Sequence, residues 1–100
     1  MQYSLRTQHL ELTDLDRDQI DNKLNRIKKH LMPPFTMDIS MIREQLKSNG
    51  ETVNVRINIE QGKRVFHAER SDSTVQNALD AAIEAISAEL KKEHDKKKQH

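Results

Sequence analysis

Residues 53–60 read VNVRINIE, and this stretch decides the fold class. Its apolar side chains stand at every second position, which is the period of a β-strand with one face against a core and the other in water. Gln61-Gly62 follows at once, and glycine tolerates the positive φ of a tight turn. We therefore predict a hairpin in which residues 63–70 form the next strand. The pattern leaves two pairs of side chains competing for the buried face of that strand: Val65 with His67, and Phe66 with Ala68.

Alternation also marks two strands on the N-terminal side of this hairpin. Residues 37–41, MDISM, alternate between apolar and polar side chains, and residues 46–50, LKSNG, are typical of a loop. Near the N-terminus, the same period places three side chains on the core face of a first strand: Tyr3, Leu5 and Thr7. The sequence therefore predicts four strands, the last three of them consecutive.

Two amphipathic helices complete the pattern. Residues 13–16, TDLD, make the acidic form of a capping box, and the apolar spacing after them predicts a helix over residues 14–31. Pro33-Pro34 must end this helix, because proline cannot continue the ladder of helical hydrogen bonds. Residues 71–73 are good helix caps, and an apolar stripe over residues 75–90 predicts a second helix.

The predicted element order is β-α-β-β-β-α. Three consecutive strands are most simply an antiparallel meander, and both helices bury their apolar stripes most economically on the same side of the sheet. We therefore predict an α+β, two-layer sandwich in which two helices pack on one face of a four-stranded sheet. With 100 residues, of which 34% are hydrophobic and 33% charged, the chain supplies one modest core and no second domain.

Positive charge is concentrated near the C-terminus. The net charge of the chain is only +1, but residues 91–100 contain five lysines and two acidic residues. Lysines at the C-terminal end of a helix interact favourably with the negative end of its macrodipole, and the terminal residues of a chain often fray. We expect a single α+β domain over residues 1–93 and a basic, frayed tail over residues 94–100.

Several classes of protein are excluded by what the sequence lacks. The chain has no cysteine, which excludes a disulfide-stapled secreted domain, a thiolate metal site and a cysteine nucleophile. No apolar run approaches the roughly 20 residues that span a bilayer, and the first residues lack the order of a signal peptide. We therefore expect a cytoplasmic protein that makes no contact with a membrane.

No catalytic or metal-binding motif is complete. Asp14, Asp16 and Asp18 resemble the opening of a calcium-binding loop, but Gln19 stands where that loop needs glycine and Asn25 where it needs glutamate. Two glycines cannot build a Gly-rich phosphate loop, and the five histidines show no metal-ligand spacing. We predict neither an enzyme nor a metal or cofactor site.

The cations of the two predicted helices are the remaining candidates for function. At about 100° per residue, Lys23 and Arg26 fall on one flank of the first helix with His30, and Lys92 and Lys96 share a flank of the second. Fixed cations on rigid helices suit a nucleic-acid backbone, because each neutralised phosphate releases counterions. A solvated charged face is the competing interpretation. The three aromatic residues form no stacking platform, so any RNA would be recognised through its shape and phosphates.

Several segments together resemble a known family. They are residues 11–14, ELTD, leading to Lys23 and Arg26, the three-strand middle, residues 72–92 with their Ala78-Leu79-Asp80 sequence, and the closing residues 95–100, DKKKQH. In order, spacing and total length they resemble the short ribosome hibernation promoting factors, a family that also contains the ribosome-associated translation inhibitor of bacteria. The resemblance covers nearly the whole chain.

The resemblance implies a fold related to double-stranded-RNA-binding domains and a place on the small ribosomal subunit. There the protein would occupy the channel for messenger RNA and tRNA and block translation during stress or stationary phase. The resemblance implies six contacts with ribosomal RNA: Lys23, Arg26, Lys91, Lys92, Lys96 and Lys98. It implies two partners, the small subunit with its RNA and the ribosome modulation factor, with which the short forms pair ribosomes into inactive dimers. The free protein is expected to be a monomer.

This chain also departs from the family. Members commonly carry basic residues where this chain has Ala85 and Ala88, and a tyrosine where it has Gln76. It lacks the acidic tail of the inhibitor branch and the dimerising domain of the long factors, which favours the short form. Two alternatives stay open: a protein-interaction module of the same fold with weak RNA affinity, and a generic double-stranded-RNA-binding protein.

Overall fold

Four strands and two helices follow one another in the order predicted from the sequence. The computed structural model describes the backbone of residues 3–46 and 50–98 and, in the last helix, the side chains up to Glu93. The elements are β1 (Ser4–Gln8), α1 (Asp14–Lys28), β2 (Phe35–Leu46), β3 (Gly50–Gln61), β4 (Arg64–Asp72) and α2 (Val75–Lys98). The β-α-β-β-β-α order is therefore confirmed.

The strands form one sheet in the order β1-β2-β3-β4. β2, β3 and β4 are an antiparallel meander, as predicted, with Ile57 opposite both Ile39 and Ala68. β1 lies parallel to β2, with Ser4 opposite Asp38. This parallel pairing requires a crossover connection, which α1 supplies.

All the buried side chains form one core between the helices and one face of the sheet. The core contains twenty apolar residues, and no polar or charged residue among those described is buried. Its centre consists of side chains with no accessible surface at all, such as Ile57 on β3, Leu24 on α1 and Leu79 on α2. The two-layer sandwich with both helices on one face is confirmed.

The structure decides the faces that the sequence left open. Phe66 and Ala68 are buried in the core, while Val65 is 67% exposed. In β1, Tyr3 and Leu5 pack against the core as predicted, but Thr7 is exposed, so the predicted core position of Thr7 is wrong. Of the predicted loop over residues 46–50, Leu46 and Gly50 belong to strands, and they are paired at the ends of β2 and β3. Residues 47–49 lie outside the described residues.

Helix α1 begins where the sequence predicts and ends earlier. Thr13 Oγ1 accepts a hydrogen bond from Asp16 N at 3.0 Å, and Asp16 Oδ2 accepts one from Thr13 N at 3.0 Å, which is the reciprocal capping box. The helix stops at Lys28, three residues before the predicted end at 31. Beyond it, His30 N and Leu31 N bond to carbonyl groups three residues earlier, so the chain tightens into a turn that still buries Leu31.

The N-cap of helix α2 lies one residue after the predicted caps, which are residues 71–73. β4 runs through Asp72, and Thr74 caps the helix instead, its Oγ1 accepting from Asn77 N at 3.1 Å. The helical backbone continues to Lys98 and so enters the segment 94–100 that the sequence assigns to a tail, while residues 99–100 lie outside the described residues. Fraying of this segment stays a prediction. None of the helices in the described ranges is long and apolar enough to cross a membrane.

Candidate nucleic-acid interface

The topology brings the C-terminal ends of both helices to the same end of the sheet. α1 leaves the end of β1 and returns to the start of β2, so it runs antiparallel to β2. β4 runs in the direction of β2, and α2 folds back along β4 until Glu93 forms an ion pair with Arg64 at the start of that strand. The two helices therefore run in the same direction, and their last turns lie near the β3–β4 turn.

Arg26 fits the predicted role of an RNA contact on α1. Its side chain is exposed on the last turn of a helix that the buried Leu24 and Ile27 hold in the core. Among the described residues it has no ion-pair partner. A guanidinium that is exposed, unpaired and carried by a fixed helix is available to an external phosphate.

Lys23 stands in a different environment. Its Nζ lies 3.0 Å from Asp80 Oδ1, and it also donates a hydrogen bond to Gln76 Oε1, so it joins α1 to α2. The Lys23 side chain is only 19% exposed, against 52% for Asp80. The Nε2 atom of Gln76 is buried and has no hydrogen-bond partner. Two of the three donors of this ammonium are therefore used inside the protein.

The predicted contacts on α2 fall into two groups. Lys91 and Lys92 are exposed, whereas the side chains of Lys96 and Lys98 lie outside the described residues, although their backbone is helical. Upstream on the Lys92 flank, Ala88 is exposed and Ala85 packs partly against the core. Both alanines leave that stretch of the helix without charge, so the cationic part of α2 begins at Lys91.

Sequence reasoning missed three cations at this end of the molecule. Lys28 and Lys29 are exposed at the last turn and C-cap of α1, and Lys63 is exposed in the β3–β4 turn. The signal for the first two was present, because basic residues in the last turn of a helix lie by its negative end. For Lys63 there was none, since only the tertiary fold brings the hairpin turn close to the end of α2.

The open face of the sheet is polar, and its described side chains largely bond to one another. Asn54 donates to Ser71 at 2.9 Å, and Arg56 Nε lies 2.8 Å from Glu69 Oε2. The hydrogen bond from Arg56 lowers the pKa of the Glu69 carboxyl, and Glu69 in turn raises the pKa of Arg56. Arg56 and Glu69 of this face are therefore matched within the protein, in contrast to the free cations at the helix ends.

No cluster of metal ligands is found in the described ranges. Three or more histidine, aspartate or glutamate side chains do not converge anywhere among residues 3–46 and 50–93 in a way that would hold a metal ion. The candidate interface is the surface of exposed cations on the two helices.

Comparison with known proteins agrees with this fold. A profile of the family described as "Sigma 54 modulation protein / S30EA ribosomal protein" matches residues 3–98. The ribosome hibernation promoting factor of Pseudomonas putida is 30% identical over 96 residues, covering 96% of this chain and 89% of that protein.

Two solved structures share the architecture of the chain. One is the N-terminal domain of Thermus thermophilus Protein Y, with a TM-score of 0.73 and 21% identity over 90% of this chain and 94% of that one. The other is a ribosomal subunit interface protein from Coxiella burnetii, with a TM-score of 0.76 and 15% identity over 95% of this chain and 99% of that one. The order of elements, the profile match over nearly the whole length and the relative from Pseudomonas together show that this chain belongs to the Sigma 54 modulation protein / S30EA ribosomal protein family.

Proposed function

We propose that this protein is a cytoplasmic ribosome hibernation factor that binds the small ribosomal subunit in the channel for messenger RNA and tRNA. Bound there, it blocks translation during stress or stationary phase. The observation that carries the proposal is the family match over residues 3–98, together with a relative named ribosome hibernation promoting factor at 30% identity. The exposed cations of the two helices supply a physical means of holding RNA.

The proposed mechanism is occlusion. A compact sandwich whose helices are fixed by a common core excludes messenger RNA and tRNA from the space that it fills, and no covalent step is required. Contacts with ribosomal RNA phosphates hold it there: Arg26 on α1, and Lys91, Lys92, Lys96 and Lys98 on α2. Lys23 contributes least, because its ammonium already bonds to Asp80 and Gln76.

The resemblance to the short hibernation factors extends this proposal to ribosome dimers. Together with the ribosome modulation factor, the protein promotes pairing of ribosomes into inactive dimers and does not pair them unaided. Sucrose-gradient profiles of purified ribosomes check this: dimers are expected only when both proteins are added. Dimers formed by this protein alone would contradict the proposed dependence.

Co-sedimentation with vacant small subunits over a salt series tests RNA binding. Five phosphate contacts predict a slope of about −4 for the logarithm of the binding constant against the logarithm of the salt concentration. The double variant Arg26→Gln/Lys92→Gln should flatten this slope by about 1.5 units. Arg6→Gln/Arg70→Gln removes the same charge away from the helix ends and should leave it unchanged. A wild-type protein that fails to sediment with subunits at low salt would refute the proposal.

Competition decides where on the subunit the protein binds. Because it is proposed to fill the tRNA channel, excess tRNA with a short messenger should displace it from small subunits, and the protein should inhibit cell-free translation at the same concentrations. Binding that resists tRNA, with comparable affinity for any RNA duplex, would instead favour a generic double-stranded-RNA-binding protein.

One observation favours the second alternative, a protein-interaction module with weak RNA affinity. Two positions on the helix flank of Lys92 are alanines, and the Lys23 cation is paired within the chain. For such a module the salt slope would be shallow and the helix variants would bind like the wild type. The same salt series therefore separates it from the hibernation factor.

A further inference from the structure

The strongest unassigned feature of the molecule is a cluster of free cations where three elements end. We call it the basic end and define it as five exposed lysines from α1, the β3–β4 turn and α2: Lys28, Lys29, Lys63, Lys91 and Lys92. None of them has an ion-pair partner among the described residues, whose bridges involve Lys23, Arg43, Arg56 and Arg64. The basic end is therefore a surface of uncompensated charge.

A chain of contacts places these elements together. Leu31 N bonds to the carbonyl of Lys28 at 3.1 Å, and the next residue, Met32, donates from its N to Gln61 Oε1 at 2.6 Å. Gln61 faces Arg64 across the hairpin, and Arg64 forms the ion pair with Glu93 of α2. The end of α1, the hairpin turn and the last described turn of α2 are thus linked.

The hairpin turn presents Lys63 at its tip. Gln61 and Arg64 are paired, so only Gly62 and Lys63 make the connection, and Gly62 has a φ of 62°. A two-residue hairpin turn of this kind needs the positive φ that glycine supplies at its first central position. Lys63 therefore projects beyond the sheet, held by a short and well-defined turn.

The charges next to the basic end do not cancel it. Arg64 and Glu93 neutralise each other, and within three residues of a lysine of the basic end the other described acidic side chains are Glu60 and Glu89. The negative end of the α1 dipole also lies here, and it stabilises Lys28 and Lys29 on the last turn and C-cap of α1. Exposed ammonium groups are compact point charges that suit an array of phosphates.

We propose that the basic end binds phosphates of ribosomal RNA, with Lys63 of the hairpin turn and the Lys28-Lys29 pair as contacts in addition to those on α2. The inference rests on the proposed function and adds a third element to the interface. It also explains how a chain with alanine at 85 and 88 keeps enough phosphate contacts, because the missing cations on the helix flank are replaced at the end of the molecule.

Charge removal at the basic end tests the proposal in the salt series with vacant small subunits. Lys63→Gln should lower the affinity about fivefold at about 0.15 M salt and flatten the slope of the salt dependence by about 0.7 to 0.9 units. Lys28→Gln/Lys29→Gln should flatten this slope by about twice that amount. Arg6→Gln, an exposed cation on the open face, is the matched control and should behave like the wild type. Thermal unfolding of each variant confirms that the fold is kept.

Directed cleavage of RNA gives a second measurement, which reports proximity to RNA and does not depend on the charge of the side chain. The chain has no cysteine, so Lys63→Cys creates a single attachment point for an iron chelate that cuts nearby RNA. Cuts in the small-subunit RNA are expected from position 63 and not from Glu11→Cys, which lies at the opposite end of the molecule.

The outcomes separate this proposal from the proposed function. Suppose that the wild type binds, that Lys63→Gln and Lys28→Gln/Lys29→Gln bind like the control, and that position 63 gives no cuts. This result would overturn the basic end as an RNA site and leave the proposed hibernation factor intact. Loss of binding in the variants with no cuts in RNA would point to an acidic protein surface and would also overturn it. Absence of wild-type binding would refute both.

Discussion

At the scale of single residues, Lys23 has a different role in the folded chain from the one that its match to the family implies. By resemblance it is an RNA contact, but in the folded chain its ammonium bonds to Asp80 and Gln76 on the other helix. Releasing it to a phosphate would leave the Asp80 carboxylate and the Gln76 amide oxygen without this partner. We therefore expect Lys23 to act mainly as a link between α1 and α2.

A double-mutant cycle measures this link. Lys23→Met should lower the free energy of unfolding by about 1 kcal/mol, with a coupling to Asp80→Asn of about 0.5 kcal/mol, because the pair is half-buried. Lys91→Met, an exposed and unpaired lysine, is the control and should change stability by less than about 0.5 kcal/mol. Urea unfolding provides the measurement. A coupling of zero, together with a shallower salt dependence of ribosome binding in Lys23→Met, would show that Lys23 acts as an RNA contact and not as a link between the helices.

Glu69 gives the open face a dependence on pH. Its pKa is lowered from the ordinary value of 4.5, first by the hydrogen bond from Arg56. A lowered pKa in the folded state means that the carboxylate stabilises the fold above its unfolded pKa, and that this stabilisation is lost as the pH falls through the folded pKa. The wild type should therefore be more stable than Glu69→Gln at about pH 7, and the difference should shrink as the pH is lowered to about 3. Thermal unfolding at the two values checks this, and a difference that persists in acid would contradict it.

At the scale of elements, the start of α1 depends on a reciprocal pair of side chains. Thr13 Oγ1 and Asp16 Oδ2 satisfy two backbone N–H groups at the N-terminus of the helix. Thr13→Ala should cost about 1 kcal/mol of stability, while Thr13→Ser keeps the acceptor and should cost much less. Chemical unfolding of the three proteins measures this. Equal loss in both variants would show that the methyl group, and not the cap, is what matters.

The end of α2 makes a second element-scale prediction. Leu90 is the last buried residue and Arg64–Glu93 the last ion pair among the described side chains of this helix, although the helical backbone continues to Lys98. We predict that amide protection falls beyond Glu93, because Leu90 and Glu93 are the last described side chains that fix this helix to the fold. In Arg64→Gln the fall should begin near Leu90, and in Arg43→Gln, which breaks a distant ion pair, it should not move. Strong protection up to Lys98 would show that the predicted fraying is wrong.

The elements also show what sequence predicts and where it stops. Strand β3 and the capping box of α1 were predicted because their signals are local, namely a period of two and a pair of side chains three residues apart. The face of β4 and the end of α1 were not, since both depend on packing: Phe66 fits the core better than Val65, and Leu31 is buried from a turn rather than from the helix. The pairing of Lys23 with Asp80 joins residues far apart in sequence, so no local pattern signals it.

At the scale of the whole molecule, charge is arranged along its length. Because the two helices run in the same direction, their C-terminal turns and the basic end lie at one extremity. The other extremity carries the start of α1 with Asp14, Asp16 and Asp18, and the β2–β3 end of the sheet, where Glu44 lies next to the Arg43–Glu51 ion pair. A net charge of +1 thus conceals a bipolar molecule. Such a molecule approaches RNA with one end preferred, since the acidic end is repelled.

Bipolar charge also bears on self-association. Large exposed apolar side chains among the described residues are scattered over four elements or connections, at Leu15, Met32, Leu46 and Val65, and form no evident patch. We therefore predict a monomer with the chain mass of 11.7 kDa. Sedimentation equilibrium at low and high salt measures it. A mass that rises at low salt would reveal head-to-tail contact between the basic and acidic ends, and one that rises at both would reveal an apolar interface.

The parallel pairing of β1 with β2 has a consequence for how the protein is made. Ser4 and Asp38 are neighbours in the sheet but 34 residues apart in the chain, whereas β3 and β4 are joined by a two-residue turn. During synthesis the first strand leaves the exit tunnel long before its partner, and closing so wide a separation is slower than closing a hairpin. The N-terminal strand of the nascent chain therefore stays unpaired at first. The sheet is expected to assemble from the β2–β3 and β3–β4 hairpins, with β1 added afterwards.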